Sequence, residues 1–215
     1  MDLRLRDIKF SSIIFGLFFL IFTNIIYAQA QPNSAGQVIV STGGFQDISA
    51  NATQRNLQRG DFFYSGDTLV TGTNSSAQVR FTDGTVMALN SNTKVKVDEY
   101  SYQKSSSDRS VVSLVQGGFR ALTGLISKAN PANYLIKTQV AVIGVRGTNY
   151  GAVLSKGELY AGVWKGGIYV KNEHGLINLG ESSNYNFAVV NSANTAPVGL
   201  LNPPQQLVGQ CGTAQ

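Results

Sequence analysis

The chain of 215 residues contains one cysteine, Cys211, and one histidine, His174. A single cysteine excludes an intramolecular disulfide and a thiolate zinc cage, so packing must supply the stability. Cys211, five positions from the C-terminus, is expected to be a free thiol or an intermolecular link. A single histidine, in the turn-like stretch KNEHGL, leaves no ready Ser-His-Asp triad, and no Gly-x-Ser-x-Gly is present. Acids are scarce too, with 12 Asp and Glu, and no Asp-x-Asp-x-Asp ladder or carboxylate pair stands out. Calcium binding and glycoside hydrolysis are poorly supported on that count. No phosphate loop or dinucleotide fingerprint occurs. The net charge of +5 is modest and its Lys and Arg are scattered, so no nucleic-acid surface is expected. No catalytic residue, metal ligand or cofactor is expected on these grounds.

Long apolar runs are also lacking, with one exception. Arg4, Arg6 and Lys9 precede the run Ile13–Ile26, which Ala28-Gln29-Ala30 follows. Positive, apolar, then small-x-small is the order of a secretory signal peptide. The run has 14 residues, short for a bilayer span of roughly 20. Cleavage near Ala30 and a periplasmic or secreted product are expected, with an uncleaved anchor as the alternative. The membrane then matters only during export.

What remains is β-like in texture. Short runs rich in Val, Ile, Leu, Phe, Tyr and Thr alternate with Gly, Asn, Asp and Ser. Val79 and Phe81 share one face, with Gln78 and Arg80 on the other; Val95 and Val97 repeat this against Lys94 and Lys96. That period of two marks half-buried strands. Asp83-Gly84, Asn90-Ser91-Asn92, Gly117-Gly118, Lys165-Gly166 and His174-Gly175 are read as turns, Asp-Gly being a strong tight-turn signal. Val111–Val115 and Phe119–Leu122 are therefore separate strands in this reading, as are Glu158–Trp164 and Gly167–Lys171. Asn51–Gln58 is the best short helix candidate. The expected fold is all-β: a short-stranded, solenoid-like or sandwich module with little helix. Its divisions are 1–30 signal peptide, 31–65 lead-in, 66–153 main β domain, 154–190 β extension and 191–215 flexible tail. Residues 102–109 read as an exposed, mobile loop.

The blocks GDTLVTG (66–72), AQVRFTDGTVMALNSNTKVKV (77–97), LVQGGFRA (114–121) and KTQVAVIGVRGTNY (137–150) occur in an order that resembles the FecR-type domain. That domain is known from the periplasmic parts of iron-siderophore signal transducers. The resemblance implies an all-β module and extracytoplasmic placement. Family transducers also carry a cytoplasmic anti-sigma segment before a membrane helix. Here nine residues precede the apolar stretch that starts at Phe10. The expectation is therefore the stand-alone, exported form of the domain.

Four residues are candidates for partner binding. Arg146, between Gly144 and Gly147, offers a planar fork to carboxylates, or else pairs with a nearby acid or carbonyl at a sheet corner. Tyr160, Trp164 and Tyr169 flank Lys165-Gly166, either as an exposed aromatic platform or as cross-strand packing. The resulting expectation is a non-catalytic binding or scaffolding module of the bacterial envelope. Its partner would be another envelope protein or a surface glycan, met by surface recognition or by strand addition at an open sheet end. The alternatives are a signalling component working with a separate membrane regulator, and a carbohydrate-active protein.

Overall fold

The computed structural model describes Asn33 to Val208. The expected signal peptide and Cys211 lie outside the described residues. The strands are β1 (Gly36–Thr42), β2 (Phe45–Ile48), β3 (Gln54–Asn56), β4 (Phe62–Phe63), β5 (Thr68–Thr71), β6 (Ser76–Phe81), β7 (Val86–Leu89) and β8 (Lys94–Ser101). They continue as β9 (Arg109–Leu122), β10 (Tyr134–Lys137), β11 (Val142–Ser155), β12 (Glu158–Asn172), β13 (Gly175–Gly180), β14 (Phe187–Val190) and β15 (Val198–Leu200). Helices are short: α1 (Leu125–Ala129), a 3-10 turn at Pro131–Asn133, and α2 (Gln205–Val208). The chain is all-β, as its period-two patterning predicts.

All strands join one open mixed sheet, whose single parallel pair among the described residues is β9 with β10. The pairing falls into two rows. One runs β3-β2-β5-β8, then the first half of β9, β10, the first half of β11, the second half of β12, and β13. The other runs β4-β1-β6-β7, then the second half of β9, the second half of β11, the first half of β12, β14 and β15. Inward residues of both rows, such as Leu69, Val95, Leu114, Ile136 and Ile143 against Val79, Met87, Phe119, Tyr150 and Leu159, form one buried core. The Tyr134 and Tyr150 hydroxyls meet between the rows at 3.5 Å. Of the two architectures left open by the sequence, this pairing is the sandwich-like one.

The three longest strands, of 14, 14 and 15 residues, each belong to both rows. This corrects the reading of Gly117-Gly118 and Lys165-Gly166 as turns between separate strands. Both are bends inside a strand, at Gly117 (φ 76°) and Gly166 (φ 82°); β11 bends likewise at Gly147 (φ 58°). A turn and a corner demand the same left-handed backbone, so glycine marks both. The corners stack on each other. Gly72 N–H reaches Gly44 O at 2.9 Å, Asn92 N–H reaches Gly72 O at 3.0 Å, and Thr93 Oγ1 both donates to Gly118 O and accepts from Gly118 N–H. A second stack joins Gly147, Gly166 and Gly180, with Glu181 N–H donating to Gly166 O at 3.0 Å.

Three further expectations change. The helix candidate 51–58 contains β3, because Gln54–Asn56 pairs with β2 and its polar side chains are all exposed at a sheet edge. The loop before β9 is exposed from residue 103 to 107 but tied at its end: Asp108 accepts from the N–H groups of Gln103 (2.8 Å) and Ser105 (3.0 Å). Within the segment read as a tail, β15 pairs with β14, and α2 seats Leu207 against Val153 and Phe187.

Candidate functional site

On β11, Ile143 and Val145 point into the core while Gly144 and Arg146 point outward. The register with β12 then slips between Arg146 and Asn149, which turns the strand through its corner. The two glycines beside Arg146 therefore serve different ends. Gly147 supplies a positive φ at the bend. Gly144 has Tyr169 paired opposite it, and the ring lies flat over the gap: a Cβ there would sit 2.0 Å from Cζ. The packing of a ring on a cross-strand glycine, not backbone conformation, favours glycine at 144, where a side chain would displace the Tyr169 ring.

The Arg146 side chain is exposed and, among the described residues, has neither an ion pair nor a hydrogen bond. The expected structural pairing with an acid or carbonyl is not what the structure contains. Its guanidinium borders a cleft of about 510 Å³ at the corner end of the first row. The floor is Gly144, Gly167 and Ile168; Pro131 and Ala132 close one side, and Asn178, Glu181 and Ser182 the other. The last two are presented by a turn in which Ser183 N–H donates to Gly180 O at 2.9 Å, with Ser182 at φ 67°.

The four candidates do not converge. Tyr169 joins Arg146 in this cleft. Tyr160 and Trp164 precede the bend of β12 and lie on the outer face of the second row. Trp164 is 40% exposed, but its ring is engaged. The Arg120 guanidinium stands 4.2 Å from the ring centroid, Phe187 meets it edge-on at 6.1 Å, and Gly151 lies beneath its edge. Arg120 is itself fixed by Asn149 Oδ1 at 2.9 Å. Tyr160 donates to Glu158 Oε2 at 2.6 Å and packs on the Val153–Phe187–Leu207 cluster, and that bond and burial raise its hydroxyl pKa. This geometry makes Tyr160 and Trp164 packing residues rather than a stacking platform. Because Trp164 is the sole tryptophan, Arg120→Ala is expected to red-shift the protein's fluorescence and to cost about 0.5–1 kcal/mol in a denaturant melt.

The remaining singled-out residues hold turns. Asp83 accepts from the Thr85 N–H at 2.9 Å and hydroxyl at 3.0 Å, and from Ile126 N–H at 3.3 Å, tying the β6–β7 turn to α1. Asp67 accepts from Tyr64 N–H at 2.7 Å. His174 is exposed in the β12–β13 turn. No cluster of three or more His, Cys, Asp or Glu is placed to hold a metal among the described residues.

The sheet ends are guarded against strand addition. At β13, Gly180 N–H donates to Tyr185 O at 2.8 Å and the Ser183 hydroxyl occupies Asn178 O. At β4, Arg55 occupies Phe62 O. The other two ends, β3 and β15, are three residues each, and Pro197 and Pro203 flank β15. Short, capped or proline-flanked edges are poor templates.

Sequence reasoning missed Asn178, Glu181 and Ser182. They reach the cleft through the β12–β13 pairing, and no local motif marks them.

Among the described residues no helix is long and apolar enough to cross a membrane. No curated protein matches the chain. Two crystal structures of a proposed anti-sigma factor from Parabacteroides distasonis ATCC 8503 share the fold, with TM-scores of 0.51 and 0.50 at 19% and 17% identity. Each match covers 63% of this chain and 60% of the other. The family model for FecR protein matches residues 67–169, from the first buried turn aspartate to the tyrosine that covers Gly144. Residues 67–169 thus match the FecR family, within a longer continuous sheet.

Proposed function

We propose that the chain is an exported, non-catalytic binding module of the bacterial envelope that takes part in signalling through a separately encoded regulatory protein. The FecR domain and the likeness to a proposed anti-sigma factor favour a signalling role over a purely scaffolding one. The signal-peptide pattern at 1–30 favours the periplasm or the exterior. Guarded sheet ends favour recognition by a surface cleft over strand addition.

The observation that carries this reading is Arg146. An arginine left without a partner at the rim of a cleft keeps its fork available to a carboxylate on another molecule. Affinity capture from the envelope fraction tests it. Wild-type protein is expected to retain a partner that Arg146→Ala loses by at least tenfold. The unfolding free energy should be unchanged within about 0.5 kcal/mol, as for an exposed, unpaired side chain. Equal retention by both proteins, or no retained partner, overturns the proposal.

A further inference from the structure

The cleft beside Arg146 holds more unused chemistry than one guanidinium. Arg146, Glu181, Asn178, Ser182 and the Tyr169 phenol all line it, and none of these side chains has a hydrogen-bond partner among the described residues. Several other polar side chains of the surface are engaged, among them Arg55 with Asp47, Arg109 with Glu99, Arg120 with Asn149 and Tyr160 with Glu158. Arg146 and Glu181 share the cleft yet form no ion pair with each other.

That pairing of opposite, separate charges selects the ligand. A simple anion would gain Arg146 but approach the Glu181 carboxylate, and a simple cation would meet the reverse. A group carrying both charges meets complementary partners on both sides. The floor suits a small backbone-like group. Gly144 is covered by the Tyr169 ring, and Gly167 leaves room for a small group, since a Cβ there would make only ordinary contact, with Leu179 O at 3.6 Å. The volume of about 510 Å³ lies in the range of small-molecule sites.

We infer that the Arg146–Glu181 cleft receives a zwitterionic amino-acid group, its carboxylate on Arg146 and its ammonium on Glu181. This rests on the binding role proposed above and names the chemistry that enters the cleft. The group is that of a free amino acid or short peptide, since an end of a protein chain carries only one of the two charges.

The test is a two-dimensional NMR titration of the protein with alanyl-alanine, N-acetyl-alanyl-alanine and alanyl-alanine amide. The zwitterion is expected to shift the amides of Gly144, Gly147, Gly167 and Ser182 and to bind at least tenfold tighter than either blocked form. In Arg146→Ala the zwitterion and the amide should bind alike. In Glu181→Gln the zwitterion and the N-acetyl form should bind alike. No shift at these amides at millimolar peptide, or equal binding of the three peptides to wild type, overturns the inference. Alanyl-alanine that binds at the cleft and releases the captured protein supports the inference and shows that peptide and partner compete for one cleft. Binding at the cleft without release supports it and shows that the partner seats elsewhere. Capture that depends on Arg146 while no dipeptide binds overturns this inference and leaves the binding role standing. Dipeptide binding with no captured partner does the opposite.

Discussion

Gly166→Ala is expected to cost more than about 3 kcal/mol and to leave the protein largely unfolded at 37 °C, whereas Gly157→Ala costs about 1 kcal/mol. Both glycines have a similar positive φ, 82° and 83°. An alanine pays about 1–2 kcal/mol for that conformation at either site. The surroundings differ. At Gly157 a Cβ meets nothing within 4 Å, because the β11–β12 hairpin turn faces solvent. At Gly166 it meets Gly147 O at 2.4 Å and Thr148 Cγ2 at 2.9 Å. The obstructing carbonyl is backbone, held in the corner of β11, so relief requires two strands to shift together. Overpacking of that kind adds a further 1–3 kcal/mol. Paired denaturant melts of the two variants check this, and similar midpoints would show that the corners do not bear on each other.

The second large effect is electrostatic and depends on pH. Asp47 is fully buried on β2, and Arg55 Nε donates to its Oδ2 at 2.9 Å. Its other oxygen has no hydrogen-bond partner. Asp67, 3% exposed and just ahead of β5, faces the same site. Two carboxylates thus face one guanidinium. Burial, then the neighbouring Asp47 charge, lifts the Asp67 pKa above its usual 3.8, against the Tyr64 N–H and Arg55, which pull it down. The sign of the linkage follows. An acid with a raised native pKa folds best when protonated, so its contribution is fully present below about 3.8. That contribution is lost as pH rises through the raised native value. Asp67→Asn keeps the acceptor for Tyr64 N–H, removes one buried charge and offers an N–H to the orphaned oxygen of Asp47. Satisfying a buried acceptor contributes about 1–3 kcal/mol. The variant should therefore melt a few degrees above wild type at pH 8 and level with it at pH 3.5. Thermal scans at both values check this. A variant less stable than wild type at pH 8 would mean that the second carboxylate is needed charged.

Much of this architecture was legible because it is local. Val79 and Phe81, or Val95 and Val97, announce their inward face by alternation alone, and Asp83-Gly84 closes its hairpin as its composition demands. Gly117-Gly118 and Lys165-Gly166 were misread for a physical reason: a chain that reverses and a strand that bends both require φ above zero. The distinction depends on what lies opposite, Thr93 in one case and Gly147 in the other. The same bend separates Trp164 from Tyr169, which simple alternation around Lys165-Gly166 would place together. At the cleft, Arg146 was visible as an anomaly, but not its lack of a partner. That depends on Glu181 and Asn178 arriving from a later hairpin at a distance that forms no bond. The polar stretch 51–58 shows the converse, since only pairing with Asp47 and its neighbours makes it a strand.

The crossing of β9, β11 and β12 between the two rows has a mechanical consequence. A sandwich of two independent sheets can part along its core, each half keeping its own hydrogen bonds. Here three strands run through both halves, so parting them means breaking ladders on each side of every corner at once. The FecR match ends at Tyr169, three residues short of the end of β12, and begins after β4. Residues 67–169 cut out alone would lose β1 from beside β6, β2 from beside β5, and β13 and β14 from beside β12. The cooperative unit of this protein is accordingly the whole sheet, a frame with no internal seam.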